Sequence, residues 1–187
     1  ASAGVTVVSG MAYGIDSAAH GGALAAGTTV AVLPGAAERP YPAGLRALYR
    51  RIVASAGAVS ELPPGTSVRR WMFAARNRIT AALAAMTVVV EAGERSGSLV
   101  TASFARELGR PLGAVPGRVT SPLAEGPHQL LAAGARLISG PEDVLDELFG
   151  AEAAGMLPAR SRPPLERKLA SLLDALREGR TTDEALA

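Results

Sequence analysis

Thr87-Val88-Val89-Val90-Glu91, running through Ala92-Gly93-Glu94 into Arg95-Ser96-Gly97-Ser98-Leu99-Val100-Thr101-Ala102-Ser103-Phe104-Ala105-Arg106-Glu107, is the stretch that decides the fold. An unbroken apolar run is the pattern of a strand covered on both faces. Ser96, Gly97 and Ser98 then turn the chain, and Leu99 to Leu108 follows with helical composition. The start of such a helix leaves backbone N–H groups unpaired, and the helix dipole adds partial positive charge there. Two readings of the turn stand side by side. Either Ser96 or Ser98 caps the helix, or the turn receives an anion, above all a phosphate.

The same unit repeats outward in both directions. Strands are expected at Val5 to Val8, Thr29 to Leu33, Ala58 to Glu61, Leu112 to Val115 and Arg136 to Ser139. Helices are expected at Ser17 to Ala26, Ala43 to Ala54 and Arg76 to Ala84. Strands alternating with helices through short Gly-containing loops imply an α/β domain with a doubly wound, mostly parallel sheet. Such sheets bind ligands outside the carboxyl ends of their strands. Those ends carry Ser9-Gly10, Pro34-Gly35, Glu61, Glu91 to Gly97 and Pro116-Gly117.

Composition narrows the function classes. Hydrophobic residues make up 48% of the 187 residues and aromatics only 4%, so the core must be built from Ala, Val, Leu and Ile. There is no cysteine, and His20 and His128 are the only histidines, which leaves no thiolate site and no histidine cluster for a metal. No cofactor is expected. The longest stretch free of Asp, Glu, Lys and Arg, Ser17 to Ala37, is interrupted by Gly, Thr, Pro and His and does not read as a membrane span. A cytoplasmic protein without membrane contact is the expectation. The net charge of +2 neither requires nor excludes nucleic acid, because a local patch matters more than the total.

Residues 1–150 are expected to form the α/β domain. Residues 151–164, rich in Ala, Pro, Gly, Ser and Arg, read as a linker. Residues 165–187 carry Leu165, Leu169, Leu172, Leu173 and Leu176 at helical spacing, with Thr182 and Glu184 positioned to begin a second helix. One helix and a stub cannot bury a core of their own.

Taken together, the boxes resemble the DNA-processing DprA/Smf family. Ser9-Gly10-Met11-Ala12-Tyr13-Gly14-Ile15-Asp16 with Ala19-His20, then Ala31-Val32-Leu33, Tyr41-Pro42 and Ser60-Glu61, open the pattern. Arg76-Asn77-Arg78-Ile79, Val90-Glu91-Ala92, Ser96 to Ala102 and Val115-Pro116-Gly117 continue it in order. Each motif alone is weak; their number, order and spacing make the resemblance specific, over about Val5 to Asp143. It implies a Rossmann-like domain that binds single-stranded DNA, loads the recombinase RecA during natural transformation, acts as a homodimer and performs no catalysis. It also implies that residues 165–187 begin a winged-helix-like module. Members place a further strand and a Gly-Ser-Arg type loop ahead of the segment matching Val5, so an inner strand and one pocket loop are expected to be missing from this chain.

The DNA- and phosphate-binding set expected from these boxes is Ser9, Gly10, Gly14, Arg76, Asn77, Arg78, Ser96, Gly97, Ser98 and Thr101. Arg76 and Arg78, two apart at an expected helix start, cannot share a helical face. One is expected to reach phosphate while the other pairs with Glu61 or Glu91. Gly10, Gly14 and Gly97 are expected to serve close backbone approach or positive φ. Asp16 is read as the cap of the Ser17 helix, and His20 as a packed side chain. Tyr13, Trp71, Phe73 and Phe104 lie near the boxes and are read as packing residues rather than stacking platforms. The segment Glu142 to Phe149 is the expected dimer surface. From a different class, a nucleoside-monophosphate N-glycosidic hydrolase with Glu91 as its acid, or a small-nucleotide sensor, uses a related scaffold. Neither Pro34-Gly35-Ala36-Ala37 nor Glu94 to Ser98 supplies the Pro-Gly-Gly-x-Gly-Thr loop of such hydrolases.

Overall fold

The computed structural model describes residues 1–150. The linker expected at 151–164 and the winged-helix-like start at 165–187 lie outside the described residues. Strand β1 (Val7–Ser9) leads through α1 (Ile15–Ala26) to β2 (Thr29–Val32), α2 (Arg46–Ser55) and β3 (Ala58–Val59). Helix α3 (Arg70–Leu83) then crosses to β4 (Thr87–Val89), α4 (Gly97–Glu107), β5 (Leu112–Ala114), α5 (Glu125–Ala132), β6 (Arg136–Leu137) and α6 (Pro141–Phe149). Short 3-10 turns at Ala43–Leu45 and Pro122–Ala124 lead into α2 and α5.

Every strand pairing is parallel. Val7 lies opposite Thr29 and Ala31 opposite Ala58 in one sheet, ordered β1-β2-β3. Thr87 lies opposite Leu112 and Gly113 opposite Arg136 in the other, ordered β4-β5-β6. The α/β arrangement of parallel strands and crossover helices is the one the sequence implies, but its strands divide into two sheets. The edges β1 and β4 are not hydrogen-bonded to each other. Between them lies a cavity of about 160 Å³ lined by Val8 and Ser9 on one side and Thr87, Val88 and Val89 on the other. Helix α3 packs on β1 and β2, α4 packs on β4 and β5, and the two helices pack on each other, which joins the halves.

Each half has its own core of small and branched side chains. Met11, Ala31, Leu33 and Ile52 form one; Val89, Ala92, Ala102, Ala114 and Leu130 form the other. The low aromatic content predicts this texture, because alanines let helices lie close to the sheet.

Helices α1, α3, α5 and α6 depart from the sequence expectation, α6 lying where no helix was expected. Helix α3 starts at Arg70 rather than Arg76, since the last breaker before it is Pro63-Pro64-Gly65 and nothing between Arg70 and Arg76 opposes helix. Helix α1 starts at Ile15 rather than Ser17. Helix α5 occupies a stretch expected to be loop. Its Pro127 falls in the first turn, where a proline loses no intrahelical bond, and Gly126 N–H donates to Ala92 O at 2.8 Å. Among the described residues no helix is long and apolar enough to cross a membrane.

Candidate phosphate-binding site at the strand ends

The turn between β4 and α4 satisfies the capping reading. Ser96 is the N-cap of α4, and its Oγ accepts from Ser98 N–H at 3.2 Å. Asn77, on the neighbouring α3, donates from Nδ2 to Gly97 O at 3.1 Å, so α3 fixes the position of the turn. A cap of this kind engages one of the free N–H groups at the helix start and leaves others facing outward. Ser98 and Thr101 line the cavity between β1 and β4, together with Ser9, Gly10, Arg76 and Asn77. Of the ten residues expected from sequence, the structure therefore brings six to one cavity. Ser96 and Gly97 adjoin it as the turn itself.

Arg76 holds the centre. It lies in the second turn of α3 and is 8% exposed. Its Nη1 donates to the carbonyl oxygens of Gly10, at 2.7 Å, and Val32, while Nε reaches Asn77 Oδ1 at 3.3 Å. The side chain thus ties together the carboxyl ends of β1 and β2. No carboxylate lies within ion-pair distance among the described residues. Burial pushes its pKa below the ordinary guanidinium value, with the charge of Asp16 opposing. A guanidinium nevertheless stays protonated at neutral pH. The floor of the cavity therefore carries a positive charge held on backbone carbonyls, with the Asp16 carboxylate on the same cavity wall beyond ion-pair distance.

Arg78 points elsewhere and forms an ion pair with Glu61; both side chains are about half exposed. The expected division between the two arginines takes this form: the acidic partner goes to Arg78, and Arg76 sits in the cavity wall on carbonyls. Gly10 is crowded by its own fold, since a Cβ there would overlap the Arg76 guanidinium. Gly14, at φ 85°, needs glycine's freedom as the residue before α1. Gly97 fits neither expectation. It has no positive φ, and a Cβ there would meet open space, because the residue is simply the first of the helix.

Asp16 is not a cap. Helix α1 begins one residue before it, so its carboxylate turns back instead, accepting from Ser9 Oγ at 2.6 Å and Ala12 N–H at 3.0 Å. Met11, fully buried at φ 59°, completes this turn, an unfavourable backbone held by core packing. His20 is fully buried, as expected. The Thr29 hydroxyl gives its one proton to Val7 O at 2.8 Å, so at the 2.7 Å contact His20 Nδ1 must be the donor. Burial lowers its pKa, with Arg76 acting in the same direction and Asp16 against it. Sequence reasoning overlooked Thr80, whose buried Oγ1 has no partner and which lines the cavity one turn after Arg76. Its i+4 spacing from Arg76 was the available signal. Glu91 also lines the cavity and is exposed.

The aromatic residues correct another expectation. Tyr13 is 66% and Trp71 60% exposed, so these two do not pack inside. Tyr13 follows the end of β1 and Trp71 lies in the first turn of α3, both at the surface. Phe73 and Phe104 are partly buried.

Residues 1–149 match the family described as DNA recombination-mediator protein A. The chain belongs to this family. It is 52% identical over 143 residues to a Mycobacterium tuberculosis protein that carries the name DNA processing protein DprA, covering 76% of this chain and 37% of that protein. The X-ray structure of DprA from Streptococcus pneumoniae superposes with a TM-score of 0.72 at 40% identity, covering 76% of this chain and 51% of that one. A Helicobacter pylori DNA processing protein A, described for its single-stranded DNA binding mode, superposes with a TM-score of 0.69 at 28% identity, over 76% of this chain and 65% of that one. The chain thus spans about two fifths of the mycobacterial relative and half of the pneumococcal one.

Proposed function

We propose that this domain binds single-stranded DNA through backbone phosphates at the β1–β4 cavity and passes the strand to a RecA-type recombinase, acting as a homodimer without bond chemistry of its own. The observation that carries the reading is Arg76: a buried guanidinium with no carboxylate partner among the described residues, on the wall of a cavity that also meets the N-terminal turn of α4. Hydroxyls of Ser98 and Thr101 complete a cradle suited to a phosphate and indifferent to base identity. The recombinase step is supported by the family's description as a recombination mediator and by the single-strand binding of the Helicobacter pylori relative.

Glu91, exposed on the rim of the same cavity, favours a second reading as a nucleoside-monophosphate hydrolase. Mobility shifts with labelled oligo-dT, single- and double-stranded, separate the two. The proposal expects single-strand preference and an affinity that falls as salt rises. Release of free base from nucleoside monophosphates, lost in Glu91→Gln, would replace it with the hydrolase.

A further inference from the structure

Sheet β1-β2-β3 carries a second feature at its carboxyl edge that the phosphate cradle does not use. Tyr13 follows β1, Tyr41 follows β2, and Trp71 opens α3 after β3; they are 66%, 46% and 60% exposed. The Tyr13 hydroxyl lies against Gly44, just beyond Tyr41, and the Tyr41 ring meets Phe73 edge to face with centroids 5.5 Å apart; Trp71, two residues before Phe73, stands on a different face of α3. Trp71 lines a small cavity with Arg76, which also lines the β1–β4 cavity, so Trp71 stands close to the phosphate cradle.

The charge beside Tyr41 is predominantly positive. Arg39, Arg46 and Arg50 line an open groove next to Tyr41, and none has a carboxylate partner among the described residues. The one acid in that groove, Glu38, accepts from the Gly65 N–H at 2.6 Å and keeps its charge, which leaves three cations against one anion there. Arg46 and Arg70 are the first residues of α2 and α3, and neither helix has an acid in its first turn. The helix dipole disfavours cations at that end. Positive charge kept against the dipole, beside exposed rings, suits a ligand that is both anionic and flat-faced.

Resting on the reading of the cradle as a DNA-phosphate site, we infer that Tyr13, Tyr41 and Trp71 are the base-stacking track of the same single strand, with Arg39, Arg46 and Arg50 following its backbone. Ring-on-base stacking is indifferent to sequence, so the track would add affinity without specificity.

Trp71 is the only tryptophan in the chain and so reports directly on its own surroundings. The test titrates the full chain with oligo-dT and with an abasic strand of equal length, reading intrinsic fluorescence and the anisotropy of a label on the strand. The track predicts saturable quenching by oligo-dT, and abasic binding that is about tenfold weaker with no quenching, one strongly stacked base having about that value. Trp71→Ala should weaken oligo-dT binding by a similar factor, and Trp71→Phe should restore most of it. Tyr41→Ala and Tyr13→Leu should each weaken oligo-dT binding as well, and because Tyr41 also packs on Phe73, Tyr13→Leu carries the test should Tyr41→Ala fail to fold. Equal affinity for oligo-dT and the abasic strand, with fluorescence unchanged, would overturn the track and leave the cradle standing. Absence of any oligo-dT binding would overturn both.

Discussion

Gly10 and Arg76 should be energetically coupled, and a double-mutant cycle measures by how much. Arg76→Met removes a charged donor from two backbone carbonyls at the ends of β1 and β2. A hydrogen bond to a charged group contributes about 1.5–3 kcal/mol, and an acceptor left unsatisfied costs about 1–3 kcal/mol. Met keeps much of the stem's volume, so the expected loss is about 3–4 kcal/mol. For a chain of this size, at about 2–4 °C per kcal/mol, the melting temperature should fall by about 6–16 °C. Gly10→Ala alone sets a methyl group where the guanidinium now lies, at a cost of about 2 kcal/mol if the side chain is forced aside. With Arg76→Met already in place nothing charged stands in the way of the new methyl. The double variant should therefore be little less stable than Arg76→Met, which gives a coupling of about 1.5–2 kcal/mol, within the usual range for touching residues. Urea denaturation of all four proteins supplies the cycle. Effects that add within about 0.5 kcal/mol would refute the close approach of Arg76 to the β1 turn.

Other substitutions separate the roles of neighbouring residues. Ser96→Ala removes the α4 cap and should cost about 1 kcal/mol in thermal unfolding. Arg78→Ala should change stability by less than about 1 kcal/mol, since its pair with Glu61 is about half exposed, and a larger loss would show that the pair is misjudged. His20 stays neutral in the fold because burial lowers its pKa, whereas the unfolded chain takes up a proton as pH falls through about 6.5. The unfolded state then binds more protons, so stability should be level above neutrality and decline as pH falls below 6.5. His20→Gln should flatten that decline. Asp143 and Glu38, whose pKa values are lowered chiefly by the Ser139 hydroxyl and the Gly65 N–H respectively, act only in the more acidic carboxylate range and leave this window clear.

The β4–turn–α4 unit was legible in the sequence because apolar run, small-residue turn and helix all agree locally. The convergence of several expected residues on one cavity was legible for the same reason. Ser9, Ser98 and Thr101 sit at strand ends and helix starts, where a parallel sheet gathers its ligands. What lay beyond the sequence was the orientation of long side chains. Arg76 reads as a ligand from its box, yet its partners, Gly10 O and Val32 O, lie 66 and 44 residues away and only the fold brings them near. Asp16 likewise reads as a cap until α1 is seen to begin at Ile15. The exposure of Tyr13 and Trp71 was hidden because ring type predicts burial on average and says nothing of which strand end is left uncovered. Helix α5 was obscured by Gly126-Pro127, a loop signal that the first turn of a helix tolerates.

Ser98→Glu tests the phosphate cradle most directly. Ser98 is exposed in the first turn of α4, where a carboxylate suits the helix dipole, so the variant should fold at least as stably as the parent chain. In the cavity, however, the new charge would face the strand's phosphates. Oligo-dT binding, followed by anisotropy across a salt series, should weaken by about tenfold or more at low salt, since like charges facing each other cost several kcal/mol. A folded Ser98→Glu variant that binds oligo-dT as tightly as the parent at every salt concentration would contradict a phosphate site at the start of α4.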